Sequence, residues 1–103
     1  MTANRYAVYS TMIRSFGDRR TEALFRDQFV RDFQGIARIA KRKLEAINAA
    51  SRLSDLAVPP SNRLEKLRGS LEDFYSVRIN DQWRAIFRWS DGEAHEVQIV
   101  DYH

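Results

Sequence analysis

The chain has 103 residues, 44% of them hydrophobic and 30% charged, with a formal net charge of +3; this suits one domain with a modest core and a polyanionic partner such as RNA. It contains no cysteine and two histidines, which excludes a disulfide framework and offers no zinc spacing, so no metal or other cofactor is expected. No apolar run approaches the roughly 20 residues needed to cross a bilayer and the first residues lack a signal-peptide core, so a cytoplasmic protein without membrane contact is expected.

In chain order, Ile13 to Phe16 alternate as a short edge strand, and Asp18 then offers an N-cap for a short helix carrying Ala23, Leu24 and Phe25. From about Asp32 to Ala50, the residues Phe33, Ile36, Ile39 or Ala40, Leu44 and Ile47 recur at three- and four-residue spacing, which predicts the main helix. Its other face carries Arg38, Lys41, Arg42, Lys43 and Glu45, either a solvated face or a cationic surface for RNA or an acidic protein. A further short helix around Leu53 and Leu56 must stop before Pro59 and Pro60, which have fixed backbones and no amide hydrogen.

The composition then changes from helical to strand-like. Leu64 to Leu67 reads as a strand, Gly69 and Ser70 as part of a connection, and Tyr75, Val77 and Ile79 as the apolar face of the next strand. After a tight turn at Asn80 and Asp81, a third strand places Trp83, Ala85, Phe87 and Trp89 on one side and Arg84, Ile86 and Arg88 on the other. Ser90-Asp91-Gly92 makes a hairpin loop to a last strand in which Val97 and Ile99 oppose Gln98 and Val100. Helices followed by antiparallel strands predict an α+β domain, with the helices packed on one face of the sheet.

Strict alternation then sends Arg84, Arg88, Gln98 and Tyr102 to an open face away from the helices. The same parity would carry Asp101 and His103 toward the core unless the strand ends before them, and it is expected to end there, because a buried carboxylate without partners is costly. Metal-free RNA cleavage requires a base for the 2′-hydroxyl, a cation for the charge building on the phosphate and an acid for the leaving 5′-oxygen. His103 has the natural pKa for proton transfer, Tyr102 has a ring to stack on a base or a hydroxyl to donate, and Arg84 has a planar fork for phosphate; Asp101 would orient His103 or act as base itself. Trp83, Phe87 and Trp89 read as packing residues and His95 as a surface strand residue.

The segments Arg63 to Gly69, Asn80 to Arg84 and the terminal Asp101-Tyr102-His103 together resemble the HigB type of bacterial toxin, a branch of the RelE/ParE superfamily. The resemblance covers roughly Met12 to His103 as a RelE-like toxin domain; residues 1–11 are an extra N-terminal segment outside the pattern, an upstream start or an added leader. It implies a ribosome-dependent endonuclease that cuts mRNA in the ribosomal A site. The implied partners are the ribosome with its mRNA and a HigA-like helix-turn-helix antitoxin, through which alone operator DNA is bound. The family's arginine after the tryptophan matches Arg84, its terminal tripeptide matches Asp101, Tyr102 and His103, and a basic residue before the loop glycine matches Arg68. Where some members carry a histidine this chain has Glu65, which cannot serve as a cation and is left as base or as a partner for Arg63. Slower cleavage than in histidine-bearing members is expected. With Arg63, Lys66, Arg78, Arg88, Lys41 and Lys43 as candidate RNA contacts, the catalytic candidates are Arg84, Asp101, Tyr102, His103, Arg68 and Glu65. Two other readings stand beside this one, a ParE-like toxin that binds gyrase without catalysis and an inactive toxin-like co-repressor acting with its antitoxin.

Overall fold

A computed structural model describes residues 13–101, and helices precede strands as the change of hydrophobic period predicts. Asp18 is extended and accepts a hydrogen bond from the Thr21 amide at 2.8 Å, which starts α1 (Arg19–Phe25). The main helix begins later than its periodicity implies. Arg31–Phe33 forms a single 3-10 turn, the Ile36 amide closes on the Phe33 carbonyl at 2.9 Å, and α2 spans Ala37–Ala49. The reason lies in Phe33 and Gly35. Phe33 is fully buried, edge-on to Trp83 with ring centroids 5.6 Å apart, and Gly35 is a poor helix residue, so tertiary packing of the ring prevails over a longer helix. From α2, Ala40, Leu44 and Ile47 enter the core, and Ile39 lies outside it.

The strands β1 (Glu65–Lys66), β2 (Phe74–Arg78), β3 (Trp83–Ser90) and β4 (Glu93–Asp101) form one sheet in the order β1-β2-β3-β4, each pair antiparallel. The turn before β3 is held by Asn80, whose Oδ1 accepts from the amides of Gln82 and Trp83, both at 2.8 Å. The β3–β4 hairpin turns through Asp91 and Gly92, both at positive φ (54° and 76°), the conformation a two-residue loop requires to match strand twist. Ile13 and Phe16 bridge Ala94 and Val97 in parallel, so the opening segment lies along the free edge of β4.

One irregularity in β4 organises the core. Ile86 pairs with Gln98 but Arg88 pairs with His95, so Phe87 faces two residues, Glu96 and Val97, with Glu96 at φ 53°. This bulge turns Ala94, Val97 and Ile99 all to the helix side, each fully buried although Ala94 and Val97 are three apart. The opening segment satisfies the displaced amides: Ser15 Oγ accepts from Glu96 N at 2.8 Å and Ser15 O from Val97 N at 3.0 Å. Gly17 sits so close that a Cβ there would lie 2.7 Å from Gln98 Nε2 and 3.1 Å from the Glu96 carbonyl oxygen.

On the helix side, Phe33, Leu44 and Ile47 pack against Val77, Phe87, Val97 and Ile99. Thr21, fully buried on α1, accepts the Ile99 amide on its hydroxyl at 2.9 Å and ties helix to sheet. The opposite face, expected to be open, is partly covered. The chain after Pro60 returns over it and packs Leu67 with Phe74 and Ile86, with Val100 alongside, in a second small core. Among the described residues no helix is long and apolar enough to cross a membrane.

Candidate active site

Arg84 is the centre of the site because of its register. It stands between Arg78 on β2 and Val100 on β4, on the face turned away from the helices. The sequence places it on an exposed surface, but it is 8% exposed. The returning chain covers it: Arg84 Nη2 donates to the Arg63 carbonyl oxygen at 2.7 Å and lies 3.8 Å from Glu65 Oε1. A charged donor on a carbonyl is one of the stronger hydrogen bonds, and the planar guanidinium converts one fixed edge into a fixed orientation.

Around this group Pro60, Ser61, Arg63, Arg78, Asn80 and Asp81 complete an open cleft of about 570 Å³. Three arginines therefore meet at one end of the sheet. Arg78 pairs with Asp81 at 2.5 Å, and the Asp81 side chain is fully exposed; such solvent-exposed pairs contribute little and exchange readily for another anion. Arg63 holds a left-handed backbone, φ 47° and ψ 56°, at the end of the Pro60–Asn62 turn. Asn62 beneath it is 2% exposed, with its amide nitrogen on the carbonyls of Leu56 and Val58 (3.1 and 3.2 Å) and its oxygen accepting from Lys43 Nζ at 2.5 Å. Burial first, then Arg42 and Arg78, push the Lys43 ammonium below the usual lysine range.

The remaining candidates separate. Lys43 faces this loop, but Lys41 donates to the Phe25 carbonyl and pairs with Asp27 at 2.9 Å, which assigns it to the α1–α2 packing. Lys66 points to the other face, over the Tyr75 ring at 5.6 Å. Arg68 lines a separate exposed depression with Glu65, Leu67 and Leu71. Arg88, four residues along β3 and so about 13 Å from Arg84, pairs with Glu96 at 3.0 Å and lies near Asp73 at 3.8 Å. β4 does not end before Asp101 as expected. It runs through that residue, which pairs with Trp83 on the helix side of the sheet. No burial cost arises, because Asp101 is exposed there and accepts from Gln82 Nε2 at 3.1 Å. Tyr102 and His103 lie outside the described residues. Sequence reasoning missed Asn62, whose one signal is an asparagine shortly after two prolines, a pattern too common to single out.

The sequence from residue 14 to residue 103 matches the family described as the RelE-like toxin of the type II toxin–antitoxin system HigB. The chain belongs to this HigB family of RelE-like toxins. It is 53% identical over 53 residues to "Toxin HigB-1" of Vibrio cholerae, a match covering 52% of this chain and 56% of that protein. It is 34% identical over 62 residues to an uncharacterised protein of Haemophilus influenzae, with 60% of this chain and 61% of that protein covered. It is 30% identical over 94 residues to "Endoribonuclease HigB" of Proteus vulgaris, across 89% of this chain and 100% of that protein. The chain thus spans somewhat over half the length of the first two relatives and the whole of the third. Within the HigB family frame the four antiparallel strands with helices on one face are the RelE-like α+β fold.

Proposed function

We propose that this chain is a cytoplasmic toxin that cuts mRNA on the ribosome and so stops translation, held in check by a HigA-like helix-turn-helix antitoxin. The observation that carries the reading is the arginine cleft: Arg63, Arg78 and Arg84 converge where β4 pairs Val100 opposite Arg84. In sequence Tyr102 and His103 follow Val100 by two and three residues, and the family pattern is what adds them to this reading. The name of the Proteus vulgaris relative supports an endoribonuclease.

In this mechanism the ribosome holds the codon and the protein reads phosphate and shape rather than base edges. Arg84, with Arg63 and Arg78 beside it, stabilises the charge that builds on the scissile phosphate as the 2′-oxygen attacks. His103 takes the 2′-hydroxyl proton, and a protonated partner returns one to the leaving 5′-oxygen, giving a 2′,3′-cyclic phosphate and a 5′-hydroxyl; Asp101, on the opposite face of the sheet from Arg84, is left to steer the chain that leads to His103. Tyr102 stacks on a base. Metal is not needed for any of these proton transfers. Glu65, close to Arg84 at 3.8 Å, favours one second reading, an attenuated toxin that acts as co-repressor with its antitoxin.

The test is to incubate the full chain and its Tyr102→Ala variant with mRNA, with and without translating ribosomes, and to map the 5′ ends. Cuts that require ribosomes and vanish in the variant uphold the endonuclease. Intact mRNA from a chain that still arrests growth would sink it and point to a target such as gyrase; intact mRNA with no growth arrest would favour the co-repressor.

A further inference from the structure

We propose that Asn62 is a positioning residue for the cleft: it sets the backbone of Arg63 and, through the Arg63 carbonyl, the direction of the Arg84 guanidinium. The catalytic consequence rests on the ribonuclease reading above; the positioning itself does not.

Asn62 is one of four buried polar residues among those described, with Thr21, Ser76 and Arg84. Its side chain uses both ends. The amide nitrogen holds the carbonyls of Leu56 and Val58, closing the loop on itself, and the oxygen is fixed by Lys43, which projects from α2. The loop backbone follows: Asn62 N donates to Pro59 O at 2.9 Å and Arg63 N to Pro60 O at 3.0 Å. The chain then leaves Asn62 through Arg63 in the left-handed region, a conformation that an arginine rarely holds without constraint from its neighbours. Asn62 supplies that constraint from one side. On the other side the turned carbonyl of Arg63 meets Arg84 Nη2 at 2.7 Å.

A rigid helix is thereby connected to the central cation through four successive residues, Lys43, Asn62, Arg63 and Arg84. Arg84 projects from a central strand, but its long side chain has several rotatable bonds, and register alone does not choose among its rotamers. The Arg63 carbonyl makes that choice. Lys43, which the charge pattern marks as an RNA contact, thus gains a different role: its ammonium is spent on Asn62 inside the protein.

The experiment uses the full chain and two variants. Asn62→Asp keeps an acceptor for Lys43 and loses the two amide donations; Lys43→Met removes the anchor on α2 and leaves Asn62 intact. The first readout is the side-chain Nε–Hε resonance of Arg84, assigned by its disappearance in Arg84→Lys and recorded without RNA. A held guanidinium gives a distinct, slowly exchanging signal, and both variants are expected to shift it and speed its exchange. The second readout is single-turnover cleavage on ribosomes, where a misplaced charge-stabilising group is expected to lower the rate by about 10- to 100-fold with ribosome affinity unchanged. Asn62→Asp should add little in an Arg84→Lys background, since both changes act through one group. An Arg84 signal unchanged in a folded variant, or rate losses that multiply in the double variant, would overturn the proposal. If Asn62→Asp does not fold, Lys43→Met decides by the same two criteria. If the wild-type chain cleaves nothing, the ribonuclease reading falls and the resonance alone decides the positioning.

Discussion

Arg84 Nη2 and the carbonyl oxygen of Arg63 are 2.7 Å apart, and this contact gives one residue two duties. The guanidinium holds the returning chain against the sheet, and it supplies the central positive charge of the cleft. Substitution separates the duties. Arg84→Ala is expected to lower ribosome-dependent cleavage by about 10² to 10³ and to cost about 1–3 kcal/mol of stability, because a carbonyl loses its charged donor. Arg84→Lys keeps the charge but loses the planar fork, so it should retain more stability than alanine yet cleave poorly. Single-turnover cleavage and urea unfolding of both variants make the comparison. Wild-type cleavage by Arg84→Lys would show that the fork geometry has no part in the reaction.

Glu65 lies 3.8 Å from Arg84, with its side chain 52% exposed. At that separation and exposure the pair contributes under about 1 kcal/mol, so Glu65→Gln should leave unfolding nearly unchanged. The carboxylate also subtracts charge from the site, so the variant is expected to bind ribosomes more tightly and to cleave within about tenfold of the wild type. A general base has a different signature, a loss of about 10² to 10⁴ with disappearance of the acidic limb of the pH–rate profile. That result would assign the base to Glu65.

The order and type of the elements were legible because each has a strong local period: Ala40, Leu44 and Ile47 mark a helix, and the alternation from Trp83 to Trp89 marks a half-buried strand. What period cannot reveal is where tertiary contacts overrule it. Phe33 fits the helical spacing, yet packing against Trp83 holds it in a separate turn. The bulge at Glu96 carries no glycine to announce it, and its left-handed backbone follows from pairing with Ser15, 81 residues away in sequence. The candidate site divides the same way. Arg84 stands out as a candidate in the Trp-Arg pair, but its burial comes from a returning loop, through the Arg63 carbonyl, that sequence does not announce. Lys41 and Lys43 look alike in sequence; two positions apart on a helix they face opposite ways, and each is held by a different neighbour.

Two buried hydroxyls make opposite predictions. Thr21 Oγ1 accepts the Ile99 amide at 2.9 Å in a fully buried position. Thr21→Val preserves shape and removes that acceptor, so it is expected to cost about 1–3 kcal/mol. Ser76 is equally buried, but its Oγ has no hydrogen-bond partner among the described residues. Ser76→Ala therefore removes an uncompensated polar group and should be neutral or stabilising by up to about 1 kcal/mol. Urea unfolding of the two variants tests the pair, and a destabilised Ser76→Ala would contradict the unsatisfied hydroxyl.

Asp55 gives the fold an acid-sensitive element next to the cleft. Its carboxylate accepts from the amides of Arg52 at 3.1 Å and Ser51 at 3.0 Å, and these bonds hold its pKa below the usual carboxylate range. In the window between the depressed folded value and the ordinary unfolded value, the unfolded chain binds the proton first, so stability falls as pH falls. The contribution is complete above the ordinary carboxylate pKa and gone once the folded group itself is protonated. Asp55→Asn does not titrate and keeps a weaker acceptor. Its melting temperature should therefore lie below that of the wild type at about pH 7, and the gap should close on acidification toward about pH 2. Melting curves of the two proteins across that range test this, and a gap independent of pH would show that the carboxylate's charge does not stabilise the turn. The consequence reaches the site because this turn, Leu53–Ala57, carries the Leu56 carbonyl on which Asn62 is held. Loosening the turn at low pH is thus expected to weaken the Arg63–Arg84 contact before the sheet unfolds, seen as faster exchange of the Arg84 Nε–Hε while the β3 and β4 amides stay protected.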